Sequence, residues 1–354
     1  MSGDARVAIL TQYAPSQHAG GVEVFNECLR RALGRVEIFS DGGPANRVEG
    51  LRRVLGLAQP IEALRATRAL LRRHRDEPFD LILSNGLYGW PLTVARPGVP
   101  LVQVYHCTMA AFANHVLTLR SERLAAGHVM ALFDRFAGIG KHVVVLSNRV
   151  LREVESLYGL KAQLMPLGVD TRAFRPLDPA AARETLGLPQ GVPIGLFVGR
   201  PDPSKGHDIL LRVAQRMPEV LFLVAGGAGG KAGNVVSLGH VPHAEMPLWY
   251  AACDFFFLPS RYEGFGLSTI EALACDLPVV VSQAAWPFRE EPTECGAVIS
   301  DGQDEDFIRA IRLVLGSRGQ FSPRDFILPR HDMSVFEQSW RGLVDSLVSG
   351  GGSS

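Results

Sequence analysis

The chain has 354 residues, 47 % of them hydrophobic and 20 % charged, with 36 Lys and Arg balanced by 36 Asp and Glu. That length and apolar share suit about two globular domains and exclude a disordered or fibrous chain. No run reaches the roughly 18 uninterrupted apolar residues of a membrane span, and MSGDARVAIL enters a strand-like run without the pattern of a signal peptide. The five cysteines (Cys28, Cys107, Cys253, Cys275, Cys295) stand far apart, with no CxxC and no zinc spacing. Scattered thiols of this kind predict a reduced, cytoplasmic protein. The neutral total hides an asymmetry. Through Arg175 there are 22 basic and 15 acidic residues, net +7; from Pro176 there are 14 and 21, net −7. An anionic surface or substrate facing the first half and ordinary surface variation both fit that split.

In chain order, VAILTQY (Val7 to Tyr13) reads as a buried first strand and APSQHAGG as the loop after it. A helix follows from about Val22 to Leu33, with apolar Val22, Phe25, Cys28, Leu29 and Ala32 in helical spacing. A glycine-rich loop between strand and helix brings backbone amides to a phosphate or a sugar; the plainer reading is a flexible turn. HAGGVE lacks the G-x-G-x-x-G of a nicotinamide fingerprint. VEIFS, DLILSN, PLVQVYH and HVVVLS read as further short strands alternating with helical patterns. That rhythm predicts an α/β fold with a parallel sheet covered on both faces. His106 ends PLVQVYH, where open α/β sheets present functional groups; a hydrogen-bonded structural histidine is the alternative. Between Arg47 and Arg75, the residues Ile61, Leu64 and Leu71 are interleaved with Arg65, Arg68, Arg72 and Arg73. Such a helix either lies on an anionic membrane surface or packs on the sheet with its arginines in water. The second is preferred for a helix directly before a strand, and peripheral membrane contact through the first domain stays open. No aromatic interleaving supports nucleic-acid binding.

MPLGVDTRAFRP and RPLDPAAARETLGLPQG, punctuated by Pro and Gly, mark the entry to a second domain. Expected domains are therefore 1–170 and 171–328, with a terminal helix over 329–349 and a flexible tail at 350–354. IGLFVG ends a buried strand at Gly199; a loop carrying Arg200 and Lys205 follows, and a helix starts near Gly206. The spacing lacks the Gly before Lys that a Walker A loop requires. Arg offers a planar fork and Lys a point charge, a pair suited to a diphosphate, and Lys205 is one of only four lysines. Next come VLFLVAGGAGG and NVVSLGHVP, then FFFLP, a polar loop with Glu263, the run Gly264-Phe265-Gly266, and a helix from about Leu267 to Cys275. Asp276 and Pro278 end that helix, and VVVS is the next buried strand. Glu263 thus stands at the mouth of the sheet and Glu271 about two turns into the helix, with glycines between them that let helix N-terminal amides face an anion. A helix from about Asp304 to Leu315 opens on DED. This matches a metal-binding D-x-D formally, and reads here as acids at the positive end of a helix.

E-G-F-G-L-S-T-I-E, from Glu263 to Glu271, resembles the E-x7-E signature of retaining GT-B glycosyltransferases of the family-4 type. G-R-x-x-x-x-K-G is similar to that family's diphosphate-binding segment. The resemblance implies two facing Rossmann-like domains with parallel sheets and a C-terminal helix returning to the first. It implies a nucleotide-sugar in the cleft, with UDP, GDP, ADP or dTDP as the nucleotide, and a sugar, lipid or small-metabolite acceptor. Carried over, Glu263 contacts the transferred sugar, Glu271 the ribose, Arg200 and Lys205 the diphosphate together with the amides of Gly264, Phe265, Gly266 and Leu267. Gly20 and Gly21 would face the donor phosphates and acceptor, His106 would lie near the sugar, and the backbone of Gly239 to Val241 would line the base pocket. The family's activity implies retention at the anomeric carbon, with no protein general base and no metal or other cofactor. Two departures stand out. Leu167 occupies the place of an Asn in the family's Asn-Gly-Val-Asp link, and QAAWPFREEP replaces a Gly-Gly turn, placing Trp286 and Phe288 there with Glu290 or Glu291 as the following acid. Alternatives on the same scaffold are a sugar-nucleotide epimerase, a phosphorylase, or a non-catalytic nucleotide-binding or membrane-docked protein.

Overall fold

A computed structural model describes residues 5–12, 21–40, 58–115, 124–289, 293–299, 302–317 and 319–350. Two compact units make up the chain: residues 1–167 with 334–354, and residues 168–333.

In unit 1, six strands pair in parallel: β1 (Val7–Leu10), β2 (Val36–Phe39), β3 (Leu81–Asn85), β4 (Leu101–Tyr105), β5 (His142–Val145) and β6 (Gln163–Leu164), in the order β2-β1-β3-β4-β5-β6. Their near-continuous apolar runs reflect burial on both faces, the condition of a parallel sheet. One face packs Ala8, Leu10 and Ile82 against Ala63, Ala66 and Leu70 of the Ala58–Asp76 helix. The Arg-rich segment therefore uses this helix to cover the sheet, leaving Arg65, Arg68 and Arg72 exposed, while Arg73 pairs with Glu37 and Glu77. Farther along the same face, Tyr105, Val143 and Val145 pack against Val150, Val154 and Tyr158. The Met333–Gly350 helix also belongs to this unit: Trp340 meets Phe25 edge-on at 5.5 Å and Arg341 Nε donates to the Ala32 carbonyl at 2.7 Å. No helix among the described residues is long and apolar enough to cross a membrane.

Unit 2 repeats the plan with β7 (Ile194–Val198), β8 (Leu221–Ala232), β9 (Val235–Gly239), β10 (Phe255–Leu258), β11 (Val279–Ser282) and β12 (Gly296–Ile299), ordered β12-β11-β10-β7-β8-β9. Strand β8 runs on through the glycine-rich GGAGG; past Gly226 its register against β9 is broken, and Gly230 to Ala232 match Ser237 to Val235 in falling order. The core is aromatic, with Phe222 edge-on to Phe255 and Phe257 edge-on to Phe307. Gly195 allows this, since a Cβ there would come within 2.4 Å of the Phe255 ring. The chain enters and leaves the unit side by side: Val169 N donates to the His331 carbonyl and Met333 N to the Val169 carbonyl. Leu167, just before the entry, is buried and apolar.

Arg183, on the Pro179–Leu186 helix, ties the entry helix to the sheet. It donates to Asp254 at 2.8 Å and to the Ala252 and Val192 carbonyls, while Asp254 also accepts from Ile194 N at 2.7 Å. Arg183→Met takes the guanidinium away from a largely buried carboxylate, which costs about 3 kcal/mol. The expected result is a melting temperature several degrees below wild type; a value within one degree would show that the pair is dispensable.

Candidate functional site

In an open parallel sheet, ligands gather at the carboxyl ends of strands where the strand order reverses. In unit 2 the order reverses between β7 and β10, neighbours whose loops leave from the same edge. These are the loops holding Arg200 to Gly206 and Pro259 to Gly266. They are pressed together: Gly206 has φ +73°, and a Cβ on it would fall 2.1 Å from the Pro259 carbonyl oxygen. Arg261 bolts them, donating to Asp208 at 2.6 and 2.7 Å and to the Pro203 carbonyl, while its own N–H donates to the Ser204 carbonyl. The Arg261 bonds, with help from Arg212, hold the Asp208 carboxyl far below the usual carboxylate range, so the bolt stays ionised.

Within this pair of loops, Lys205 Nζ donates to Glu263 Oε1 at 2.6 Å, and Ser260 Oγ donates to the same oxygen at 2.9 Å. Glu263 is buried and Lys205 half-buried. Asp202 caps the Pro203–Lys205 turn, accepting from Ser204 N and Lys205 N. Arg200 is 74 % exposed and lies 3.5 Å from Asp202. Beyond Glu263, Gly264 is half-buried and Phe265 buried; Gly266, at φ +79°, starts the Leu267–Ala274 helix with no side-chain cap. That leaves helix N-terminal amides of Leu267 and its neighbours as the natural donors to an anion. One turn into that helix, not about two, Glu271 is buried, its Oε1 held by His243 Nε2 at 2.7 Å and its Oε2 accepting from the Tyr250 hydroxyl at 2.9 Å. The Glu271 hydrogen bond raises the His243 pKa against the opposing effect of burial. Burial first, then the Glu271 charge, keeps the Tyr250 hydroxyl protonated far above its usual range.

Unit 1 has its own reversal, between β1 and β3. A polar chain crosses the strand ends there. His106 Nε2 lies 2.9 Å from Asn85 Oδ1, Asn85 Nδ2 donates to Asn26 Oδ1, and Asn26 Nδ2 reaches Thr11 Oγ1 at 3.4 Å. The His106 ring stands edge-on to Phe25 at 4.9 Å, and desolvation lowers its pKa to about 4, so it is a neutral imidazole at physiological pH. Behind it, Thr108 donates to Glu153, which pairs with Arg149, and buried Asp134 accepts from Tyr158 and from Met109 N. Burial raises Asp134 to about 7.

Residues 179–326 match the family described as Glycosyl transferases group 1, and residues 19–173 match Glycosyltransferase Family 4. The chain belongs to the group 1, family-4 glycosyltransferases. D-inositol 3-phosphate glycosyltransferases of Mycobacterium bovis and Mycobacterium tuberculosis are 31 % identical over 313 residues, covering 78 % of this chain; the chain spans 62 % of their length. Among solved structures, the sucrose-phosphate synthase of Thermosynechococcus elongatus aligns with a TM-score of 0.82 at 20 % identity, covering 98 % of this chain and 100 % of that one. Anabaena HepE in complex with UDP aligns with a TM-score of 0.71 at 20 % identity, covering 97 % and 100 %. These likenesses establish the GT-B fold.

Of the residues read from the sequence, Lys205 and Glu263 come into contact, and Gly264, Phe265, Gly266, Leu267 and Glu271 follow in one continuous segment. Arg200 stands apart at the start of its loop, and Val241 is half-buried just past the end of β9. Gly21 opens the Gly21–Leu33 helix of unit 1, whereas Gly20, Glu290 and Glu291 lie outside the described residues. Trp286 and Phe288, which stand in place of the family's Gly-Gly turn, turn inward. Trp286 is buried, and both rings pack on Phe326 of the Pro323–His331 helix, Phe288 also on His331. DED behaves as helix-end acids: Asp306 accepts from Gln303 N in a capping box and Asp304 pairs with Arg212. Among the described residues no cluster of three His, Cys, Asp or Glu is placed to hold a metal. Sequence reasoning missed His243 and Tyr250, seven positions apart and hence two turns along one face, and it missed Asn26 and Asn85.

Two measurements follow from this geometry. A Cβ at Gly266 would sit 2.9 Å from the Ala285 carbonyl oxygen at a left-handed φ, so Gly266→Ala should lower stability by about 1–2 kcal/mol and weaken anion binding at the helix start; unchanged melting would refute the strain. His106 titrates near 6.5 when unfolded and near 4 when folded. The unfolded chain therefore takes the proton first, and the stability His106 contributes is whole above pH 6.5 and lost as pH falls through 4. Urea midpoints over that window should fall more steeply for wild type than for His106→Gln, and parallel curves would contradict the shift.

Proposed function

We propose that this GT-B protein transfers a sugar from a nucleoside-diphosphate donor to an acceptor hydroxyl, with retention at the anomeric carbon. The observation that carries the reading is the Lys205–Glu263 pair beside the uncapped start of the Leu267–Ala274 helix, with buried Glu271 on the same helix. A lysine next to a helix N-terminus that no side chain caps suits a diphosphate, and the carboxylates beside it suit the hydroxyls of a sugar and a ribose.

In the proposed reaction the bond from the anomeric carbon to the diphosphate oxygen breaks as the acceptor oxygen bonds that carbon on the same face. The departing diphosphate gains charge; Lys205, Arg200 and the amides of Gly264 to Leu267 stabilise it. The acceptor proton passes to the departing phosphate oxygen, so no side chain is needed as general base. Glu263 steadies the donor sugar and Glu271 the ribose. His106, neutral and fixed by Asn85, can exchange a hydrogen bond with a sugar hydroxyl without bringing a charge. No metal takes part in this scheme.

The UDP complexes of HepE make UDP-sugars the first donors to try, followed by GDP-, ADP- and dTDP-sugars, and the inositol-phosphate relatives suggest polyol phosphates among the acceptors. The expected outcome is transfer that survives chelator, gives a product of unchanged anomeric configuration by NMR, and drops about 10²-fold or more in kcat for Lys205→Ala. An inverted product would sink the retaining mechanism. Donor turnover without acceptor, or only with inorganic phosphate, would point to an epimerase or phosphorylase instead.

A further inference from the structure

Glu271 is fastened unequally. Its Oε2 accepts from Tyr250, a fully buried residue whose hydroxyl also lies 3.2 Å from the Ser268 carbonyl. Its Oε1 is held by His243, whose side chain is 56 % exposed while that of Glu271 is only 5 % exposed. His243 starts a short turn, His243–Glu245, that buries none of its own side chains and has no side-chain cap. One oxygen of a buried carboxylate is thus anchored in the core, and the other is covered by a group that can swing out with little loss of packing. A diol arriving from solvent meets His243 first.

We propose that His243 is a place-holder on Glu271: it occupies Oε1 while the donor site is empty, and the ribose of an incoming nucleoside diphosphate displaces it. This rests on the reading of Glu271 as the ribose ligand. His243 acts through Glu271 and is a positioning residue. It keeps the carboxylate solvated and oriented without a ligand, so the ribose replaces one hydrogen bond with another and does not have to order a free side chain.

A proton linkage follows. The imidazole bonds Glu271 of the Leu267–Ala274 helix and lies 5.1 Å from the uncharged ring of Phe174; Tyr250 of the Met246–Ala251 helix bonds the other oxygen of Glu271, and Glu245 is exposed two residues on in the same turn. Of these, Glu271 is the one whose charge favours the imidazolium. Displacement removes that partner, the His243 pKa falls, and a proton is released. Nucleotide affinity should therefore weaken as pH drops below the raised His243 pKa and level off above it.

The test is calorimetric titration of the full chain with UDP, GDP, ADP and dTDP from pH 5.5 to 8, in two buffers of different ionisation heat, using the nucleotide that binds best. Wild type should release a proton on binding, and its Kd should rise by up to about tenfold per pH unit below the His243 titration, the limit for one linked proton. His243→Ala should bind more tightly than wild type at pH 5.5 and show only the shallow slope of the diphosphate itself. His243→Gln, which keeps an uncharged donor, should also lack the proton release. If both variants bind more weakly than wild type at every pH with the slope unchanged, His243 is a direct ligand and the proposal fails. Variants identical to wild type overturn it as well. Glu271→Gln separates the two levels: loss of affinity there together with an unchanged pH slope in the His243 variants leaves the ribose reading standing and removes the place-holder. Full affinity in Glu271→Gln, or no nucleotide binding in folded wild type, removes both.

Discussion

The approach of Gly206 to the Pro259 carbonyl is the constraint on which the site depends. Two loops leaving adjacent parallel strands would normally diverge over their helices. Here the absence of a side chain at Gly206 lets one backbone rest on the other. Arg261 then closes the gap with a bidentate bond to Asp208, the kind of planar, charge-assisted pairing that fixes geometry as well as energy. Because the Arg261 bonds hold the Asp208 carboxyl far below the usual carboxylate range, the closure stays charged where ordinary carboxylates have begun to protonate. Lys205 and Glu263 meet only because these two loops are joined.

That meeting has a cost and a use. A lysine and a glutamate drawn together in a partly buried place give up hydration, and the attraction between them roughly offsets the loss, so the pair adds little net stability. For a donor site this balance is favourable. Lys205 is neutralised by Glu263, and Ser260 completes the carboxylate's shell. In the proposed reaction a diphosphate that takes over Lys205 exchanges one anion for another and leaves Glu263 to the hydroxyls of the sugar. Glu271 follows the same logic at the other end of the helix start, with a side chain in each position where a ligand hydroxyl would bond. These side chains therefore satisfy one another, and in the proposed function a ligand competes with them as well as with water.

Much of this was legible in the sequence, for identifiable reasons. Strands buried on both faces announce themselves as apolar runs, so the alternation behind both sheets could be read directly. Glu263, Glu271, Arg200 and Lys205 stand in fixed spacing within local segments. What escaped was either short or distant. The two residues of β6 are below any period. The continuation of β8 through GGAGGKA contradicts the turn that glycines usually signal, and only pairing with β9 makes it a strand. His243 and Tyr250 lie 28 and 21 positions before Glu271, and nothing local to PHAEMPLWY says that a carboxylate will arrive. Asn26 and Asn85 are 59 positions apart and look in sequence like ordinary polar residues.

Trp286 and Phe288 make the same point from the other direction. Where small residues are the family's habit, two large rings suggest an altered ligand surface. In the fold they are structural. Trp286 lies nearly parallel to Phe326, Phe288 meets Phe326 and His331, and the Arg330 guanidinium covers the Phe326 ring at 4.6 Å. The segment they anchor carries the Ala285 carbonyl, which accepts from Thr269 Oγ1 and lies against Gly266. So the aromatic cluster braces, from behind, the turn whose amides are proposed to meet the diphosphate. It does so from the helix whose last residue, His331, receives the hydrogen bond from Val169 at the point where the chain enters unit 2. A larger residue at Gly266 or a smaller one at Trp286 would disturb the same support from opposite sides. The bulk at 286 and the lack of it at 266 are two halves of one packing requirement.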